Sequence, residues 1–144
     1  MKEVVDTIWA YHDQPRMGVA HFDGGPHYYE REFDDAADEY SDVYSLIPIS
    51  EPTFGLVMER WQIWLRWKAA FDASETTIET HPALPHERAR YDELDQVIRQ
   101  EIAANRPMAV RARAAFERKG DRVEWTRLPD DDLQQPSASN SPSR

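Results

Sequence analysis

Three of the chain's five tryptophans fall within one helix-length stretch, residues 50–72, SEPTFGLVMERWQIWLRWKAAFD. Ser50 is a typical N-cap residue and Pro52 suits a first helical turn, so the stretch predicts a helix. Its apolar residues cover a broad face and a roughly opposite stripe: Phe54, Val57, Met58, Trp61, Trp64, Leu65 and Phe71 on the face, and Leu56, Ile63, Trp67 and Ala70 on the stripe. A helix that is apolar on both sides needs cover on both sides. We therefore expect a sheet against the broad face, and a second helix or a partner subunit against the Trp67 stripe.

Short β-branched and aromatic segments before this helix predict an antiparallel meander. The expected strands are residues 4–12, 17–22, 27–33 and 43–49, with the first in the centre of the sheet. The sequence DGGP at residues 23–26 predicts a hairpin loop between the second and third strands. Pairing Phe22 with His27 would turn one set of side chains toward the core helix: Ala20, Phe22, Tyr29 and Phe33.

The second half of the chain predicts one more helix and one more hairpin. Residues 86–104 carry a narrow apolar stripe typical of an amphipathic helix: Tyr91, Leu94, Ile98 and Ile102. Residues 108–118 are ambiguous between strand and helix, but alternation at period 2 favours a strand. That strand would pair with residues 123–126 through a Gly120-Asp121 turn.

The fold class expected from these elements is α+β. An antiparallel sheet of about five to six strands, made of an N-terminal meander and a C-terminal hairpin, would pack on the Trp-rich helix beside the second helix. A chain of 144 residues suits one domain, which we place at residues 1–128. Residues 129–144 have almost nothing apolar to bury, so we expect a disordered tail.

Charge is concentrated at the start of the chain. Residues 1–50 carry 11 acidic and 3 basic residues, which is −8 of the net charge of −10. This balance argues against nucleic acid and anionic membrane as partners, because both attract cationic surfaces. A basic protein partner fits better. No apolar run approaches a membrane span and the first residues do not form a secretory signal, so the expected location is the cytoplasm.

Three side chains on one face of the first hairpin are the candidate catalytic residues: His21, Glu30 and Glu32. Two carboxylates beside an imidazole can divide proton donor and acceptor roles or bind a divalent ion. The simpler interpretation is a solvated face of the sheet, since half-buried strands carry such residues on their wet side. His81 and His86 are separated by prolines and do not form a metal-binding pattern, and the chain has no cysteine. We expect no metal and no cofactor.

Binding candidates come from the aromatic and the charged segments. Trp67 is either a core residue or part of an interface with another subunit. Residues 30–42 hold seven acids and one base, whereas residues 106–127 hold seven bases, including Arg111 and Arg113, and three acids. The two segments are complementary, so they either meet or form two separate solvated faces. A two-fold homodimer with Trp67 near its centre and these segments across its rim is one prediction, and a monomer is the alternative.

Several segments together resemble a set of small uncharacterised bacterial proteins. They are Tyr11-His12-Asp13 through Gly25-Pro26-His27-Tyr28, the helix with its spaced tryptophans, and Glu79-Thr80-His81-Pro82-Ala83-Leu84-Pro85. The resemblance covers residues 9–95. It implies a bacterial protein but no activity, so it assigns no functional residue.

The sequence therefore predicts a small acidic protein that works by binding, with another protein as its partner. The alternative is a small enzyme or a metal- or ligand-binding protein that uses His21, Glu30, Glu32 and nearby aromatic residues. A cleft beside those carboxylates would favour the enzyme.

Overall fold

The computed structural model describes residues 1–129, which form seven strands and two α-helices. The strands are β1 (Lys2–Val4), β2 (Ala10–Tyr11), β3 (Pro15–Phe22), β4 (Gly25–Asp34), β5 (Glu39–Pro48), β6 (Val110–Phe116) and β7 (Arg122–Arg127). The helices are α1 (Glu51–Asp72) and α2 (Arg88–Asn105). All seven strands form one antiparallel sheet in the order β1-β7-β6-β5-β4-β3-β2. The α+β class is confirmed, with seven strands rather than five to six.

The chain divides into two compact units. Among the described residues, 1–48 and 106–129 contain the seven strands, and 49–105 contain both α-helices. One domain over residues 1–128 stays a prediction. The disordered tail predicted for residues 129–144 lies outside the described residues from residue 130 onward.

The N-terminal segment closes the curled sheet on itself. β1 pairs with β7, and the residues that follow β1 then run along β3. The Asp6 amide donates to the Val19 carbonyl at 2.9 Å, and the Trp9 amide donates to the Met17 carbonyl at 2.7 Å. The single central strand predicted for residues 4–12 is therefore wrong. The segment is two short strands joined by irregular chain, because its two parts pair with different strands.

The core of the sheet unit lies inside this closed sheet. Its fully or nearly buried members are Val5, Ala20, Phe22, Tyr29, Tyr44, Leu46, Ala112 and Val123, with Phe116 and Trp125 packed against them. The inward orientation predicted for Ala20, Phe22 and Tyr29 is confirmed. Phe33 is 46% exposed, so its predicted inward position is wrong. A register shift between Arg31 and Phe33 breaks the alternation there, as a bulge does.

The first hairpin turns more tightly than predicted. Phe22 pairs with Gly25, and Asp23 and Gly24 have φ of 52° and 80°, which is a two-residue turn with positive φ at both positions. The expected Phe22–His27 pair is wrong by two residues. Since side chains alternate with period 2, a two-residue slip leaves each side chain on the predicted face.

The helix unit is an antiparallel pair. Glu101, near the end of α2, accepts hydrogen bonds from Ser50 and Thr53 at the start of α1, and Glu87, just before α2, binds Arg66 in the second half of α1. Ser50 caps α1 as predicted, accepting a hydrogen bond from the Thr53 amide at 3.3 Å. The predicted stripe of α2 is confirmed, since its buried residues are Leu94, Ile98 and Ile102.

The buried face of α1 follows the predicted stripe rather than the broad face. The buried residues of the helix are Thr53, Val57, Arg60, Ile63, Trp67 and Ala70. Among the residues predicted on the broad face, only Val57 is buried. From the broad face, Leu65 and Phe71 are 37% and 40% exposed. Trp61 and Trp64 are half-buried and stack on each other, with ring centroids 5.1 Å apart.

The C-terminal hairpin is confirmed, but the predicted Gly120-Asp121 turn is wrong. Phe116 pairs with Val123, so residues 117–121 join the two strands, and the register differs by two residues from the one that a Gly120-Asp121 turn would give. Residues 110–116 of the ambiguous segment are strand β6, and Phe116 and Trp125 share a face with ring centroids 5.9 Å apart. Neither of the two helices in residues 1–129 is long and apolar enough to cross a membrane.

Candidate functional site

The two candidate carboxylates on β4, Glu30 and Glu32, both form ion pairs with arginine side chains. Arg111 donates two hydrogen bonds to Glu32, from Nε and from a terminal nitrogen, each at 2.8 Å. Glu30 accepts a hydrogen bond from Tyr28 Oη at 2.8 Å and lies 3.3 Å from a terminal nitrogen of Arg106. These contacts use the oxygens that a metal ion or a proton shuttle would need. Within residues 1–129, no group of three or more His, Asp and Glu side chains could hold a metal ion.

His21 does not join Glu30 and Glu32. It pairs with Pro26, whereas Glu30 pairs with Met17, so four residues of strand, about 13 Å, separate the two positions along the hairpin. The predicted three-residue constellation is therefore not assembled.

The partner of His21 is Asp6, which the sequence did not indicate. The Nδ1 atom of His21 lies 2.8 Å from an Asp6 carboxylate oxygen. Burial raises the pKa of Asp6, and the hydrogen bond with His21 opposes that rise. Asp6 lies on the closing N-terminal segment, so only knowledge of how that segment pairs with β3 would have identified it.

Arg111 and Arg113 meet the acidic segment within the same chain. β5 and β6 are neighbours, and this places Arg111 against Glu32 and Arg113 against Asp42, at 2.8 Å and 2.7 Å. The predicted meeting of the acidic and basic segments is confirmed as an intramolecular contact. Because their charges are already paired, these two arginines are poor candidates for holding a partner through charge.

Trp67 lies inside the helix unit and is only 3% exposed. Its indole N–H donates to Thr80 Oγ1 at 2.8 Å, its ring stacks on Phe71, and His81 packs edge-on against it with centroids 4.7 Å apart. The indole has almost no surface to offer another subunit. This burial supports the core interpretation of Trp67 and argues against it as the centre of a dimer interface.

The end of the β4–β5 hairpin carries unpaired acidic residues, which we call the acidic tip: Asp34, Asp35, Asp38 and Glu39. All four are exposed, and none forms an ion pair with any residue in the range 1–129. Asp34 Oδ1 accepts hydrogen bonds from the Ala36 and Ala37 amides at 3.0 and 3.2 Å, which shapes the turn. The acidic tip is thus an ordered turn with its charges directed to solvent.

An aromatic surface lies at the base of the acidic tip. We call it the ring patch, and it comprises Tyr11, His12, Phe33 and Tyr40. Phe33 packs edge-on against Tyr40 with centroids 5.1 Å apart, and Tyr40 contacts His12 at 5.2 Å. Tyr11, the neighbour of His12, is 63% exposed. The sequence predicted Phe33 as core, so the patch was missed, and only the bulge in β4 could have revealed it.

Arg31 holds the ring patch in place. Its guanidinium donates to the Ser41 carbonyl at 2.6 Å, to the His12 carbonyl at 2.8 Å and to Asp13 Oδ1 at 2.6 Å. The same group lies 5.4 Å from the centre of the Tyr40 ring, within cation–π range. These bonds join the β2–β3 turn to the β4–β5 hairpin, so the ring patch and the acidic tip belong to one fixed surface.

Comparisons with known proteins give no information about the function of this chain. No protein family model, no curated protein and no solved structure matches the chain.

Proposed function

We propose that this chain is a protein-binding domain that holds a basic segment of its partner against the acidic tip and the ring patch. The main support for this proposal is that some carboxylates of the β4–β5 hairpin form ion pairs and others do not. Nearby carboxylates of the same hairpin, Glu30, Glu32 and Asp42, each have an arginine partner. The four carboxylates of the acidic tip have none among residues 1–129.

The two parts of the surface contribute differently to binding. An exposed ion pair stabilises a complex by only about 0.2–1 kcal/mol, so the acidic tip mainly attracts and orients a basic partner. Exposed aromatic rings supply apolar contact area at little entropic cost, because few torsions are fixed on binding. Tyr11 and Phe33 are 63% and 46% exposed, so we assign them the apolar part of the contact. The cytoplasmic location stays a prediction.

One observation favours the alternative of a small enzyme. The imidazole of His21 is oriented by the carboxylate of Asp6 through Nδ1, as general-base histidines are. Glu30 and Glu32 do not support that alternative, since both are engaged by arginine. A catalytic role would therefore rest on His21 and Asp6 alone.

A fluorescent peptide of alternating arginine and leucine tests the proposal, with affinity measured by anisotropy at two salt concentrations. The variant D35N/E39Q removes two tip charges, and we expect it to weaken binding about fivefold to tenfold at low salt. The matched control E75Q/E79Q removes two exposed charges from the helix unit and should change affinity less than twofold. Equal losses in both variants would show that only net charge matters and would overturn the proposal.

The variant F33A separates apolar contact from charge. It should weaken binding without changing the dependence of affinity on salt, because it removes a ring and no charge. An F33A affinity equal to wild type would remove the ring patch from the binding surface.

A further inference from the structure

The β6–β7 turn and the first residue of β7 carry unpaired positive charge, which we call the basic turn: Arg118, Lys119 and Arg122. All three side chains are exposed, and none forms an ion pair with another residue in the described part of the chain. The arginines earlier on the same hairpin differ, since Arg111 and Arg113 are paired with Glu32 and Asp42. The chain thus leaves positive charge free at this turn as it leaves negative charge free at the acidic tip.

The strand register places the basic turn at the same end of the sheet as the acidic tip. Val43 of β5 pairs with Arg113, and Leu46 pairs with Val110, so β6 runs toward the end where β5 begins. The β6–β7 turn follows β6 directly, and the acidic tip precedes β5 directly.

The ring patch lies at this end too. A Cβ at Gly120 in the basic turn would be 3.5 Å from Pro15 Cγ, and Pro15 pairs with Tyr11 of the ring patch. One end of the sheet therefore presents negative charge, exposed rings and positive charge together.

A surface with both signs of charge can pair with a copy of itself across a two-fold axis. In such an isologous contact, each residue of one copy meets its complement on the other copy, and every contact occurs twice. The acidic tip and the basic turn do not pair within the described chain, so both remain available to a second copy.

We infer that two copies of this chain associate through this end of the sheet. The acidic tip of each copy meets the basic turn of the other, and the ring patches meet near the axis. This inference rests on the proposed function and names the partner's basic segment as the chain's own basic turn. It also replaces the predicted Trp67 interface with a surface that is exposed.

Charge exchange tests the dimer. The variant D35K/E39K leaves two acids and two lysines in the acidic tip, so the tip has no net charge and its attraction to the basic turn is lost. The variant R118E/K119E leaves the basic turn with a net charge of −1, so it repels the acidic tip of the second copy. In an equimolar mixture, the native tip of one variant meets the native basic turn of the other, and the two new lysines meet the two new glutamates. The control E75K/E79K changes net charge as D35K/E39K does but leaves the sheet surface untouched. Circular dichroism of each variant reports whether it is folded.

Sedimentation velocity at about 100 µM protein and about 0.1 M salt provides the measurement, since the net charges of two copies are well screened there. We expect wild type and E75K/E79K to approach twice the chain mass of 16.8 kDa, each exchange variant to remain a monomer, and the mixture to dimerise. A monomeric wild type, or a folded exchange variant that still dimerises, would overturn the inference. If wild type is a monomer but binds the arginine–leucine peptide, the dimer is refuted and the proposed function stands. If wild type is a monomer and does not bind the peptide, both are refuted.

Discussion

Tyr44 offers the most quantitative test of the closed sheet. Its hydroxyl donates to the Pro15 carbonyl and accepts a hydrogen bond from Gln14 Nε2 at 2.9 Å, and the side chain is fully buried. Removing the hydroxyl with Tyr44→Phe leaves a buried carbonyl without that donor, which costs about 1–3 kcal/mol of unfolding free energy. That loss should be measurable at pH 8 by urea unfolding.

The pH dependence of this loss is a second, independent part of the prediction. Burial raises the pKa of Tyr44 from 10.0 to about 12, while the Gln14 hydrogen bond opposes the rise. A raised pKa means that the stabilisation is fully present below pH 10 and is lost as the pH rises toward 12. At pH 11 wild type should have lost about 1.4 kcal/mol that Tyr44→Phe cannot lose, because phenylalanine does not ionise. The difference in stability between the two proteins should narrow by that amount.

Urea unfolding monitored by circular dichroism at pH 8, 10 and 11 gives the required free energies. Tyr11→Phe is the matched control, since Tyr11 is 63% exposed and its hydroxyl makes only a 3.4 Å contact with the Asp13 carbonyl. The control should lie within about 0.5 kcal/mol of wild type at pH 8. A gap between wild type and Tyr44→Phe that is the same at pH 8 and pH 11 would refute the burial of this hydroxyl.

Two further substitutions test the two units separately. Gly18→Ala should lower the free energy of unfolding, measured with urea, by more than about 3 kcal/mol. The new Cβ would lie 2.3 Å from the Thr7 carbonyl oxygen and push the N-terminal segment away from β3. A loss under about 1 kcal/mol would contradict that packing. Arg60→Ala should lower the free energy of unfolding by about 1–3 kcal/mol, because Asp95 loses its buried hydrogen-bond partner but keeps its ion pair with Arg99. Arg99→Ala is the control, because Arg99 is exposed, and it should lower the free energy of unfolding by under about 1 kcal/mol. Similar losses for the two variants would contradict a buried Arg60–Asp95 pair.

Elements with local signals could be predicted from the sequence. Ser50 before an apolar stretch predicts the start of α1, and the DGGP segment at residues 23–26 between two strand-like segments predicts the first hairpin. The alternation of apolar and charged residues in 110–116 predicts a strand rather than a helix, and this segment is β6. In each case the deciding residues lie within a few positions of one another.

The remaining features depend on contacts between distant residues. The closing of the sheet joins residues 5–11 to β3, and no local pattern specifies that pairing. The partner of His21 was missed for the same reason, since Asp6 lies on that segment. Helix α1 has apolar residues on nearly its whole circumference, so the helical periodicity alone does not identify its buried face. The burial of a charged residue, Arg60, on that face has no signal in the sequence.

The sequence indicates only part of the proposed binding surface. The excess of acidic residues in the first third of the chain correctly indicated where negative charge is concentrated. Which carboxylates are free depends on how β5 and β6 align, because that register pairs Glu32 and Asp42 with arginines and leaves the acidic tip unpaired.

The most direct test of the proposed binding surface is an NMR titration of the ¹⁵N-labelled chain with the arginine–leucine peptide. We expect the amide shifts to concentrate at Tyr11, His12 and residues 33–40, and to diminish in D35N/E39Q. Shifts centred on Asp6 and His21, or spread evenly over the sheet and helix units, would contradict it.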